Sequence, residues 1–168
     1  MEDDIRVIFG KFIREIINDT TVTIALARSG FIENNYNANA LIVDSLSPGI
    51  PIDEDQSYVG STENPTNGVM TYSTRFEATI TVDAYGENAH TNILKLHNAK
   101  RSYEASQYMK ANNITVYDPS EVVDLNLIVG TQNYTRLQST FTVLYTRNIT
   151  EQLPTIATAG TQIFTEDN

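Results

Sequence analysis

His90 and His97 are the two histidines of this chain, and they stand seven positions apart in a stretch that reads as helix. A zinc ion sits about 2 Å from each imidazole nitrogen, so helical histidine pairs that share a metal lie three or four apart, on adjacent turns. Seven positions separate the rings by two turns. The chain has no cysteine, which removes disulfides, thiolate nucleophiles and cysteine–zinc sites. Carboxylates are plentiful at Asp53, Asp55, Glu63, Glu77, Asp83 and Glu87. A glycosidase needs two of these to converge across a cleft with unequal pKa values. Sequence order brings no two of them together, and solvated acidic surface is their ordinary use. No Gly-x-Ser-x-Gly elbow occurs, and Arg28-Ser29-Gly30 reads as a turn. The glycines form neither a dinucleotide fingerprint nor a phosphate loop. No catalytic, metal or nucleotide motif thus stands out, and no cofactor or metal is expected.

One charged cluster stands out against the acidic background. Lys95, Lys100 and Arg101 crowd the middle of the second helical stretch, in a chain of 168 residues with a formal net charge of -10. The run is either a solvated helix face or a contact surface for an acidic partner. The acidic trio Asp53-Glu54-Asp55 of a neighbouring copy would serve as that partner. The overall charge works against general nucleic-acid binding, which depends on neutralising phosphates, and against anionic membrane surfaces. No apolar run approaches the roughly 20 residues that a membrane helix needs. The start, Met1-Glu2-Asp3-Asp4, is acidic where a signal peptide is basic, so synthesis in the cytoplasm is expected and the Asn-x-Thr sequons at Asn113, Asn133 and Asn148 carry no weight.

The elements that must position these residues follow from periodicity. Ile5, Ile8, Phe9, Phe12, Ile13, Ile16 and Ile17 recur at spacings of three and four and predict an amphipathic first helix. The acids at its start suit the helix dipole, and Asn18-Asp19 suits its end. Thr21 to Leu26 and Ala38 to Leu46 read as short strands. Ser47 to Gly68, with its prolines, glycines and acidic trio, reads as a long loop, used for interaction or simply an excursion. From Val69 to Tyr85, Phe76, Ala78, Ile80, Val82 and Ala84 alternate with Glu77, Thr79, Thr81, Asp83 and Tyr85, as a strand with one buried face does. Gly86 breaks this strand, and a long helix is expected from about Glu87 to Ala111. Leu125 to Gly130 and Leu137 to Arg147 read as a hairpin with a polar tip at residues 131–135.

The organisation expected is one α+β domain over residues 1–150, with an antiparallel or mixed sheet and the two helices packed on one of its faces. Residues 151–168 form a polar tail with a small apolar patch at Ile163-Phe164. A segment too weak to fold alone suits pairing with a sheet edge, here on a neighbouring subunit.

The order of these elements, the strand Arg75-Phe76-x-Ala78-x-Ile80-x-Val82-x-x-Tyr85-Gly86 that leads into a helix, and the segment Gly130-Thr131-Gln132-x-Tyr134-x-Arg136 resemble the tailed-phage neck and tail terminator proteins. The resemblance runs from about Asp4 to Thr146. The loop 53–67 and the tail after Ile149 have no counterpart in it. It implies a structural virion protein of the head–tail junction, not an enzyme. Such a protein is assembled in the bacterial cytoplasm and closes as a homo-oligomeric ring, a hexamer. The ring would touch tail tube or sheath proteins on one side and the head connector or stopper on the other. DNA would pass through it without specific binding. The expected contact residues are Ile52, Asp53, Glu54, Asp55 and Tyr58 in the loop, Lys95, Lys100 and Arg101 on the helix, Gln132 and Tyr134 at the hairpin tip, and Gln162, Ile163 and Phe164 in the tail. Two rivals remain: another junction protein (a stopper or tube subunit), and a small hydrolase or ligand-binding domain built on Glu77, Asp83 and Glu87.

Overall fold

A computed structural model describes residues 4–27, 38–60, 67–99, 101–117, 119–129 and 131–154. Its first element is α1, Ile5–Ile17. Asp4 caps it, its side chain accepting from the Arg6 amide at 2.9 Å. Asn18 ends it in the left-handed conformation at φ 43°, donating its amide to the Arg14 carbonyl. Asparagine tolerates that conformation because its short polar side chain bonds locally. Ile5, Phe9, Phe12, Ile13 and Ile17 are buried, so the expected apolar face is the packed one.

The sheet holds β1 (Thr23–Leu26), β2 (Ala40–Gly60), β3 (Asn67–Tyr85), β4 (Ile114–Val116), β5 (Val123–Asp124) and β8 (Arg136–Pro154). Its order is β1-β2-β3-β8-β4, with β5 also on β8. β1 runs parallel to β2, and the other pairs are antiparallel. The sheet is thus mixed and the fold is α+β, as its alternating and helical segments predict.

Three elements differ from the sequence reading. Ser47 to Gly60, expected as loop, continues β2 and pairs with β3 as far as Gly60 opposite Gly68. Its prolines and glycines are absorbed by register shifts between Ser45 and Ser47, Ser47 and Ile50, and Pro51 and Asp53. The expected single helix is two: α2, Ala89–Ala99, and α3, Tyr103–Ala111. Ser102 is extended at φ -76°, ψ 156°, and its hydroxyl accepts from the Ala105 amide at 3.1 Å. A serine so placed starts a helix rather than continuing one. The expected hairpin is also different. β6 (Leu127–Val129) pairs with β7 (Gln132–Tyr134) as a separate small ribbon, while β8 pairs with β3 along its whole length.

All three helices cover the same sheet face. Phe76, Ala78, Ile80, Val82 and Ala84 of β3 and Phe141, Val143 and Tyr145 of β8 meet Phe9, Phe12, Ile13, Ile93 and Leu96 there. The Phe9 ring meets Phe141 at 5.4 Å and Phe12 meets Tyr108 at 5.7 Å, both pairs tilted by 53°. The Tyr108 hydroxyl donates to the Ile8 carbonyl at 3.1 Å, which fixes α3 against α1. Gly86, at φ 87°, turns the chain from β3 into α2, a conformation open to glycine at little cost.

Candidate assembly surface

The helices end where the strands do not. At about 3.3 Å per residue, the 19 residues of β3 span roughly 60 Å, and its buried alternation ends at Ala78, followed by the half-buried Phe76. Beyond it, β2 from Pro51, β3 down to Asn67 and β8 to Pro154 form a three-stranded antiparallel ribbon on which none of the described helices packs. Residues 51–57 of β2 and 148–152 of β8 are exposed. Residues 151–154, expected in the tail, are the last part of this ribbon.

A stacked cluster holds the root of the ribbon. Phe76 lies over Tyr145 at 5.4 Å and 18°, and the Arg147 guanidinium sits 5.5 Å from one ring and 5.4 Å from the other. Gly49 passes beside them at φ 121°, where a Cβ would collide with the Tyr145 hydroxyl and sit 3.2 Å from Cζ. The backbone of β2 can bulge past the tyrosine only without a side chain there.

Residues directly opposite in neighbouring strands share a face. Asp53 stands opposite Arg75, Glu54 opposite Thr74 and Asp55 opposite Ser73, so the acidic trio splits between the two faces. Ile52 lies in the register shift between Pro51 and Asp53 and is exposed, as is Ile50. Tyr58 pairs with Met70 through the backbone. Five of the expected contact residues, Ile52 through Asp55 and Tyr58, thus belong to one edge strand of the ribbon.

Lys95 lies elsewhere, on the outer side of α2. It lines a groove of about 600 Å³ with Glu15, Leu94, Asn98, Ser102 and Glu104. Its surroundings are therefore of mixed charge rather than basic. Arg101 is exposed at the corner between α2 and α3. Tyr134 and the backbone of Gln132 are in β7, on the small second ribbon. Lys100, Gln162, Ile163 and Phe164 lie outside the described residues. The structure brings the ribbon residues together and leaves the helix and β7 groups apart from them.

The histidines and carboxylates have structural settings. His97 Nε2 is 2.8 Å from the Ser139 hydroxyl, which donates onward to the Ser120 carbonyl, and the ring meets Phe141 edge-on. His90 is exposed. Arg136 donates from Nε and Nη2 to the two oxygens of Asp83, both at 3.2 Å, and Gln138 adds a third bond at 2.9 Å. Burial works against the Arg136 charge, and the bonds and charge of Asp83 outweigh it, so its pKa is raised. The guanidinium also lies 5.8 Å from the Tyr85 ring. Glu77 is six residues from Asp83 on the same strand, about 20 Å away, and Glu87 is exposed beyond the turn. Glu77 and Asp83 are thus too far apart for the roughly 5–9.5 Å that glycoside hydrolysis requires. Among the described residues no group of three or more His, Asp or Glu could hold a metal ion.

The model of the phage neck terminator protein family matches residues 9–167 of this chain. The chain belongs to this family. The match takes in residues 53–67 and the segment after Ile149, where the sequence reading found no counterpart. No curated protein matches the chain. A neck terminator is a structural protein of the phage head–tail junction, and its place is the neck of the virion. Among the described residues of this terminator no helix is long and apolar enough to cross a membrane. The bidentate Asp83–Arg136 pair was within reach of the sequence, since both residues lie in the segments that carry the family resemblance. What joins them is the register of β3 and β8, in which Asp83 faces Gln138 and Tyr85 faces Arg136.

Proposed function

We propose that this terminator acts as a closed homo-oligomeric ring, a hexamer, that caps the completed tail and joins it to the head. One face of the ring rests on tail tube or sheath proteins, and the other meets the connector or stopper. Assembly takes place in the host cytoplasm. Residues 1–150 act as one domain, with the C-terminal segment available to a neighbouring subunit.

The ribbon carries this reading. It leaves Ile52 and Ile149 exposed at 50 and 65%, and Ile50, at its root, at 62%. Three large apolar side chains on a narrow, two-faced projection are a surface that a partner would cover. Ring closure needs unlike patches that fit each other on successive copies. The ribbon and the mixed-charge groove around Lys95 supply two such patches. The acids of the ribbon, Asp53, Glu54, Asp55 and Glu151, would repel phosphate and let DNA pass.

The test is native mass measurement of the protein alone and with purified tails that lack it. A six-fold species bound at one end of the tail supports the reading. A protein that stays monomeric and ignores tail ends overturns it.

A further inference from the structure

The two outer strands of the ribbon have different outer edges, neither paired by another described strand. β2 carries Pro48, Pro51, three register shifts and the Asp53–Asp55 run, all of which obstruct pairing with another strand. β8 carries none of these from Thr146 to Leu153. It keeps unbroken register with β3, and no described strand pairs with its outer edge beyond Tyr145. An edge of this kind is a template for one more strand.

The side chains of this edge select the strand that fits. Arg147, Ile149 and Glu151 alternate along β8 and so share one face, with the exposed isoleucine at the centre. If a second β8 runs antiparallel about a two-fold axis through Ile149, Arg147 faces Glu151 of the partner subunit. The partner's Arg147 then faces Glu151, and the two isoleucines meet. On the opposite face, Asn148 stands against Thr150 of the partner subunit. Moving the axis by one residue either way keeps the pairing antiparallel but sets both charged residues opposite uncharged ones or beyond the paired segment. The Arg147 guanidinium rests over Phe76 and Tyr145, inboard of this edge, and would turn outward to meet the partner's Glu151.

We propose that copies of this chain not yet on a tail pair through antiparallel β8–β8 contact about Ile149, joining two ribbons into one six-stranded sheet. Such a contact joins like edges and closes at two copies, whereas ring closure needs unlike patches. It does not depend on the ring reading, and its failure would leave that reading in place.

The chain has no cysteine, so an introduced thiol is unambiguous. Ile149→Cys places two sulfurs across the two-fold axis, with Cβ atoms about 5 Å apart. Mild oxidation of the purified full chain should give a reducible dimer much faster than Ile128→Cys, an equally exposed control on β6. In the chain without cysteine, sedimentation should show Glu151→Arg weakening the dimer about tenfold, because two like-charge pairs replace two opposite ones. Adding Arg147→Glu to Glu151→Arg should restore it. Three results would overturn the proposal: I149C that links no faster than I128C, charge swaps that leave association unchanged, or copies that link through I149C/I52C while I149C alone does not. The last would mark a contact between unlike edges.

Discussion

Gly49→Ala tests the root of the ribbon. Gly49 has φ 121°, a conformation that side chains rarely adopt, and holding alanine there costs about 1–3 kcal/mol. The new methyl would also overlap the Tyr145 hydroxyl and press on Cζ and on Phe76 Cβ, at 3.2 and 3.4 Å. Overpacking of this kind typically costs about 1–3 kcal/mol. The two costs relax together, so a total loss of about 2–4 kcal/mol is expected. The assay is urea unfolding of four proteins: the parent, G49A, Y145F and the double variant. Tyr145→Phe removes the colliding oxygen but keeps the ring on Phe76, so G49A should cost about 1 kcal/mol less in that background. If G49A cost under about 0.5 kcal/mol, or the two changes were additive, the close passage of β2 over Tyr145 would be refuted.

Other perturbations separate the remaining contacts. Asp83→Ala strands the guanidinium of Arg136, whose side chain is 31% exposed, and should cost about 2 kcal/mol; Asp83→Asn should cost less because its oxygen still accepts. Thermal unfolding of both variants checks this. Ser102→Ala removes the cap of α3 and should cost about 1 kcal/mol in urea unfolding, with faster amide exchange confined to residues 103–106. Asp4→Ala should cost about 1 kcal/mol near neutral pH. The Arg6 side-chain hydrogen bonds chiefly hold the Asp4 carboxyl below its ordinary 3.8, against a smaller opposing effect of burial. Its contribution is thus complete above that value and is lost as pH falls through the lower folded-state value. The difference between parent and D4A should shrink in acid, and a difference that grew there would refute the assignment.

The legibility of each element tracks how local its cause is. α1 was readable because Ile5 to Ile17 carry both the helical period and its stop at Asn18. The core stretch of β3 was readable because its alternation is written in ten consecutive residues, Phe76 to Tyr85. The break at Ser102 was missed because Ala99 to Tyr103 keep acceptable helix formers on both sides, and a capping serine differs little in sequence from an interior one. Among the expected contact residues, Asp53 to Asp55 stand out in the sequence by charge alone. The edge of β8 at Arg147, Ile149 and Glu151 was not singled out, because an edge has no signature until its neighbour strands are known.

Composition and periodicity alone determined that this is an acidic, cysteine-free α+β chain with an amphipathic first helix and one strongly alternating strand, and the order of its elements pointed to the phage neck. Only the tertiary structure decided that Ser47 to Gly60 is strand. Prolines, glycines and three adjacent acids disfavour that conformation locally, and pairing with β3 across many residues overrides them. That pairing turns an apparent loop into one edge of a projecting ribbon. Hydrogen bonds between strands distant in sequence supply the stabilisation, so no window of local sequence contains it.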